Sequence, residues 1–155
     1  MLVRLSYVSY SNLDLSDDDI FQILATSKVN NHAQHVTGVL IYSDRHFFQC
    51  LEGERKAVNK TYLRILADKR HSRCMMASYN EITARAFPAW SMEQVKFSGV
   101  NNELVSKYSE MGLFQPYDYT PSQAEAFVQE IAQVIQHAAT VDKPQKSLLS
   151  WFKAT

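Results

Sequence analysis

Apolar and polar side chains alternate at the start of the chain. Val3, Leu5 and Tyr7 fall on one side and Arg4 and Ser6 on the other, which predicts a strand over residues 2–9. The period then changes. Ile20, Ile23, Leu24 and Ser27, with Asn31 next in line, share one face of a helix predicted over 17–30. Ser16 and Asp19 form a weak capping box at its start, and Asp17, Asp18 and Asp19 suit the positive end of a helix dipole. Residues 37–43 (TGVLIYS) and 47–53 (FFQCLEG) read as strands joined by the short turn Asp44-Arg45-His46. Gly53 opens a second helix over about 54–70, with Val58, Tyr62, Ile65 and Leu66 as its stripe. Residues 74–83 and 91–97 read as two more strands. The order βαββαββ predicts an α+β fold, a ferredoxin-like, antiparallel-rich sheet with both helices on one face.

The last third has a different pattern. Residues 101–112 read as a short helix stopped by Gly112, and Thr120-Pro121-Ser122-Gln123 starts another. Phe127, Ile131, Val134 and Ile135 carry that helix to about 138. The pair must bury an apolar face, and the sheet face left bare by the first two helices is the place for it. Residues 142–155 begin DKPQK and carry LLSWF near their end, and read as a mobile tail with a sticky tip. The chain thus divides into 1–98, a core domain, 99–140, capping helices, and 141–155, a flexible tail.

Composition narrows the function classes. The 155 residues fit one domain, and 46% hydrophobic with 21% charged residues exclude a disordered or collagenous chain. Sixteen basic and sixteen acidic residues give no net charge, which argues against a nonspecific nucleic-acid partner. No apolar run approaches the roughly 18 residues of a membrane span, and the first residues read as a strand and not as a signal peptide. Cys50 and Cys74 are read as reduced core residues of a cytoplasmic protein.

Three polar residues occupy positions where a core wants apolar ones: Tyr7, Gln49 between Phe47 and Leu51, and Asn31 on the buried stripe. A buried amide without partners costs about 1–3 kcal/mol. Their convergence points to a polar ligand or a closed hydrogen-bond network, unless backbone satisfies each separately. Arg64 and Asp68 lie four apart and share a helix face with Thr61 and His71. They could hold a ligand's polar edge, or form a plain ion pair worth roughly 0.3–0.5 kcal/mol. His32 and His35 lack a third metal ligand, so no metal is expected. There is no glycine cradle for phosphate.

Read in order, RLSYVS (4–9), the Asn30-Asn31 pair, TGVLIYSDRHFFQCLEGE (37–54), the R-x-x-x-D-x-R-H run of 64–71 and WSM (90–92) resemble the BLUF photoreceptors, blue-light sensors that use flavin. The resemblance covers residues 2–97. It implies a short, single-domain sensor and not an enzyme, with FAD, or else FMN or riboflavin, held between the first two helices. Tyr7 would be the electron and proton donor, and Gln49 the switching amide between it and the flavin. Asn31 would bind the ring edge, with Asn30 beside it. Arg64, Ile65, Asp68, Arg70 and His71 would line or flank the flavin. Trp90 and Met92 would lie near Gln49 and change with light, against the plainer readings of core aromatic and gap-filler. His35 stands where many members carry a small residue. The implied partners are a downstream effector protein and further copies of the chain, with no nucleic acid and no membrane. The competing readings are a ferredoxin-like small-molecule or nucleic-acid module, with Phe48 as an exposed stacking aromatic, and a small phosphate-binding enzyme using Arg64 and Asn31.

Overall fold

The computed structural model describes the backbone of residues 1–89, 92–96 and 102–152, and the side chains of 1–89, 92–96 and 103–138. Five strands form one sheet: β1 (Leu2–Ser11), β2 (Thr37–Ser43), β3 (His46–Glu54), β4 (His71–Glu81) and β5 (Glu93–Val95). Their order across the sheet is β4-β1-β3-β2-β5, antiparallel except where β5 runs parallel to β2. Four helices are interleaved: α1 (Asp17–Ala33), α2 (Arg55–Leu66), α3 (Asn102–Lys107) and α4 (Pro121–Phe152). This is the ferredoxin-like α+β layer that the residue pattern predicts.

Two apolar clusters lie on opposite sides of the sheet. One gathers Val3, Leu5, Leu40, Phe47 and Leu51 from the strands with Ile20, Leu24, Val58 and Tyr62 from α1 and α2. The other packs Val8, Val39, Ile41, Phe48 and Cys50 under Leu104, Phe127, Val128 and Ile131 of α3 and α4. The C-terminal helices therefore cover the face the first two leave bare. Alternation along β1 and β3 feeds both clusters, so neither strand has a solvent face. Phe48, which competing readings need exposed, lies edge-on to Phe127 at 5.1 Å between ring centres and is fully buried.

The helix starts follow their caps. Ser16 Oγ accepts from the Asp19 amide at 3.2 Å and Asp19 Oδ2 accepts from the Ser16 amide at 2.9 Å. Thr120 and Gln123 make the same reciprocal pair at 3.2 and 2.9 Å. Several ends differ from the sequence reading. α2 stops at Leu66, with Ala67 as its C-cap, and not near 70. α3 stops at Lys107, five residues before Gly112, and Met111 and Gly112 instead form a tight turn in which Glu110 bridges Leu113. α4 continues to Phe152, past 138 and through Pro144. A proline weakens a helix by removing one donor, but good helix formers resume at Gln145 and Lys146.

Two backbone features fix the sheet where it borders the helices. Asp44 and Arg45 are both left-handed (φ 51° and 63°), the two-residue hairpin geometry that matches strand twist. Arg45 tolerates it because its guanidinium donates to the Ser11 and Asn12 carbonyls at 3.1 and 2.9 Å and lies over the Tyr10 ring. At the end of α1, His35 is left-handed (φ 53°). Its amide bonds the His32 carbonyl at 3.1 Å, and the Val36 amide bonds the Asn31 carbonyl at 2.9 Å. This is a Schellman cap with histidine where glycine is favoured. It explains in backbone terms why a small residue suits position 35.

Two substitutions test these constraints. His35→Gly is expected to stabilise the fold by about 0.5–1 kcal/mol, read as a higher urea midpoint at unchanged slope. Gly38→Ala is expected to cost about 3 kcal/mol or more, because its Cβ would fall 1.9 Å from the Cys50 carbonyl oxygen on the neighbouring strand.

Candidate functional site

The register of β1 with β3 sets Tyr7 directly opposite Gln49, with both side chains on the α1–α2 face. Tyr7 Oη donates to Gln49 Oε1, and Gln49 Nε2 donates to Met92 Sδ at 3.2 Å. Tyr7, Gln49 and Met92 are 3%, 4% and 0% exposed. Burial pushes the Tyr7 pKa well above 10, and the neighbouring ionisable groups Cys74, Tyr62 and Asp68 push the same way. The phenol keeps its proton and gives it to the amide oxygen, which leaves the NH₂ for the sulfur.

Neighbouring rings hold the phenol in place. Tyr62 lies 5.4 Å and His71 6.4 Å from it between ring centres. His71 is itself fixed at both nitrogens. Nε2 lies 2.8 Å from the Ile65 carbonyl, which can only accept, and Nδ1 lies 2.8 Å from Ser9 Oγ. Cys74 Sγ lies 3.6 Å from Nδ1 and is only half-buried, so it is not the core residue expected.

Above this chain of hydrogen bonds α1 and α2 leave a cleft. An inner lobe of about 440 Å³, counting the open mouth, is walled by Ile23, Leu40, Phe47 and Ile65 and reaches Tyr7, Gln49 and His71. An outer lobe of about 610 Å³ continues past Asn30, Asn31, Thr61 and Arg64. Gln49, Ile65, Asp68 and Arg70 border both. The cleft thus brings together Tyr7, Gln49, Asn30, Asn31, Arg64, Ile65, Asp68, Arg70 and His71. Trp90 lies outside the described residues.

One pairing differs from the sequence reading. Because α2 ends at Leu66, Asp68 sits in the following turn and does not share a helix face with Arg64. Its carboxylate takes Arg70 Nε at 3.0 Å on each oxygen and the Arg70 amide at 2.9 Å. Arg70 is the main cause that holds the Asp68 pKa below the ordinary carboxylate range. Asp68 therefore faces the cleft as an acceptor, and Arg64 remains at the outer lobe.

Sequence reasoning missed a second polar group, on the opposite sheet face. Glu52 is fully buried. Its carboxylate takes Arg4 Nε at 2.7 Å and the Ala86 and Phe87 amides at 3.0 Å each. Arg4 also pairs with Glu125 of α4. Arg85 adds donations to the His35 carbonyl, Thr37 Oγ1 and the Glu52 carbonyl at 2.7, 2.9 and 3.0 Å. Residues 85–87 are thereby pinned to β3, five residues before Met92. The alternation of β1 had assigned Arg4 to a polar face; only the packing of α4 reveals that this face is dry.

With that geometry in view, the comparisons with known proteins are consistent. The family model for sensors of blue light using FAD (BLUF) matches residues 2–93, and the chain belongs to that family. The chain is 34% identical over 92 residues to the photoactivated adenylate cyclase subunit beta of Euglena longa, covering 59% of this chain and 11% of that protein. It is 32% identical over 93 residues to the blue light- and temperature-regulated antirepressor BluF of Escherichia coli (strain K12), covering 60% of this chain and 23% of that protein. Among solved structures, BlsA in its photo-activated state superposes with a TM-score of 0.75 at 32% identity, over 85% of this chain and 95% of that one. The dark-state structure of BlrB, a BLUF protein, superposes with a TM-score of 0.71 at 34% identity, over 85% and 96%. The family is one of blue-light sensors, and the chain spans less than a quarter of the length of these two curated relatives.

The cleft fits a flavin ring. It is lined by the aliphatic side chains of Ile23, Leu40 and Ile65 and bordered by the amides of Asn30, Asn31 and Gln49 and the carboxylate of Asp68, a mix of apolar wall and polar groups that suits a flat heteroaromatic ring. Thr61 Oγ1, 1% exposed at the outer lobe, has no hydrogen-bond partner among the described residues. A polar ligand would supply one. The walls Ile23, Ser27 and Leu40 went unassigned by sequence, although Ser27 carries a faint signal as a small polar residue on an apolar stripe. Among the described residues no helix is long and apolar enough to cross a membrane.

Removing the charge of Glu52 tests the far-face network. Glu52→Gln leaves Arg4 without its buried carboxylate and is expected to cost about 3–5 kcal/mol in urea unfolding. A loss below about 1 kcal/mol would mean that Glu125 alone satisfies Arg4.

Proposed function

We propose that this chain is a blue-light photoreceptor that binds flavin non-covalently and signals by rearranging the hydrogen bonds of Tyr7, Gln49 and Met92. The observation that carries this reading is the unbroken chain from the Tyr7 phenol through the Gln49 amide to the Met92 thioether, at the floor of the cleft. Residues 1–98 carry the cleft and 99–140 cap the sheet. FAD is the proposed cofactor, with FMN or riboflavin meeting the same ring contacts. Asn31, Gln49, Asp68 and Arg70 would orient the ring's polar edge, Ile65 would cover its face, and Asn30, Arg64 and His71 would flank it. A cytoplasmic location accords with two unpaired cysteines.

Bound there, a flavin supplies blue-light absorption and, once excited, a strong oxidant. The remaining chemistry belongs to this chain. Tyr7 is the electron donor in the cleft, and losing an electron makes its hydroxyl proton acidic. Gln49 stands ready to accept that proton on Oε1 and carries two of its own on Nε2. If the amide turns over, Nε2–H faces the Tyr7 oxygen and Oε1 faces Met92 Sδ. A thioether has no proton to donate, so the contact from β3 to β5 is lost.

A magnitude limits the output. One neutral hydrogen bond is worth about 0.5–1.5 kcal/mol net. Taking a two-state equilibrium from 1:99 to 99:1 needs about 5.5 kcal/mol. Light therefore shifts a population, and contacts with an effector protein and with further copies of the chain amplify the shift.

The test is the dark-minus-lit absorption spectrum. The purified protein should be yellow, and blue light should move the flavin band reversibly to the red. Tyr7→Phe and Gln49→Leu should each keep the flavin and lose the shift. A colourless protein indifferent to added flavin would favour a binding module without photochemistry. A normal photocycle in either variant would remove these residues from the mechanism.

A further inference from the structure

α1 is apolar on two sides. Ile20, Leu24 and Asn31 are buried against the sheet. On the outer side Phe21 and Val29 are 67% and 72% exposed, with Ala25 exposed between them. At 3.6 residues per turn, positions 18, 21, 25, 29 and 32 form one strip roughly 80° wide. The spacing is three or four residues throughout, the seam of a packed helix pair. Nothing among the described residues covers it.

The strip is self-complementary about its centre. Taking Ala25 as a two-fold point, an antiparallel second copy sets Phe21 against the partner copy's valine at 29, alanine against alanine, and Asp18 against the partner copy's histidine at 32. Asp18 and His32 each stand seven residues from Ala25, about 10 Å along the axis. Charge follows the same symmetry. Asp14, Asp17 and Asp18 crowd the start of α1, where Lys96 reaches Asp17 at 4.0 Å and leaves Asp14 and Asp18 without a salt-bridge partner among the described residues. Its other end borders two adjoining hollows of about 690 and 710 Å³ that share His32 and Ala89. Arg85, His35 and Lys28 line these hollows. The Arg85 guanidinium meets only neutral oxygens there, and Glu93, paired with Lys28 at 2.9 Å, is the acid facing them. An antiparallel copy lays each acidic end over the other's basic hollow.

We propose that the outer face of α1 is an isologous contact between two copies of this chain, centred on Ala25, with Phe21 and Val29 as its apolar middle. It rests on the self-association proposed above and not on the photochemistry. The contact lies beside residues 88–89, which lead to Met92, so the two copies meet next to the strand that the Gln49 amide would release. One helix pair with its flanking hollows falls at the small end of specific interfaces, below about 1,200 Å², so the dimer is of the weak, micromolar class.

Sedimentation velocity of the flavin-loaded full chain from roughly 1 to 300 µM spans that class. The expected result is a concentration-dependent dimer whose dissociation constant rises roughly tenfold or more in Phe21→Glu and in Val29→Glu. Asp18→Lys and His32→Asp should each weaken it, His32→Asp by setting two carboxylates face to face, and the double variant, which sets a lysine against an aspartate across the seam, should regain it. All four positions are exposed, and unchanged flavin absorbance and thermal midpoint verify the fold. A wild-type chain that stays monomeric throughout overturns the self-association itself. A dimer indifferent to Phe21→Glu and Val29→Glu overturns this surface alone. A failed charge exchange overturns the antiparallel register.

Discussion

The site depends on one alignment of backbone, the pairing of β1 with β3 that faces Tyr7 to Gln49. Side chains along a strand alternate, so a slip of one residue would send the phenol to one sheet face and leave the amide on the other. The register is over-determined. Val3, Leu5 and Leu51 need the α1–α2 side, while Val8, Phe48 and Cys50 need the α4 side. Hydrophobic burial on two faces thus fixes the geometry of a single hydrogen bond. The C-terminal helices contribute to this precision without touching the cleft.

The two faces are also tied by polar groups. Glu52 lies three residues beyond Gln49 and points the opposite way. Through Arg4 it reaches Glu125 on α4, and through the Ala86 and Phe87 amides it holds the segment that leads into β5. Three parts of the molecule therefore meet at one buried carboxylate.

Much of this was legible in the residues. Alternation and the 3.6 period located the strands of the main sheet and the helices flanking it, and polar residues in apolar registers picked out Tyr7, Gln49 and Asn31. Ends were less legible. The 64–71 run looks helical by spacing, yet α2 stops at Leu66, where the Asp68–Arg70 turn provides other partners. Burial of charge was illegible, because Arg4 and Glu52 have exposed-type sequences and become dry only once α4 packs over them. Family resemblance supplied roles for Tyr7, Gln49 and Met92 that spacing alone left open between ligand and closed network. What each of those side chains does to the others required coordinates.

α4 is the longest element among the described residues. Its base, around Phe127 and Ile131, is clamped to the sheet. Thirty-two residues of helix extend about 48 Å, far more than the width of the sheet beneath them. Such a rod is a mechanical pointer. About 32 Å of it lies beyond Ile131, so tilting it by about 5° at the clamp would swing its far end through about 3 Å, and a rearrangement slight at the sheet becomes a displacement of side-chain size at the tip.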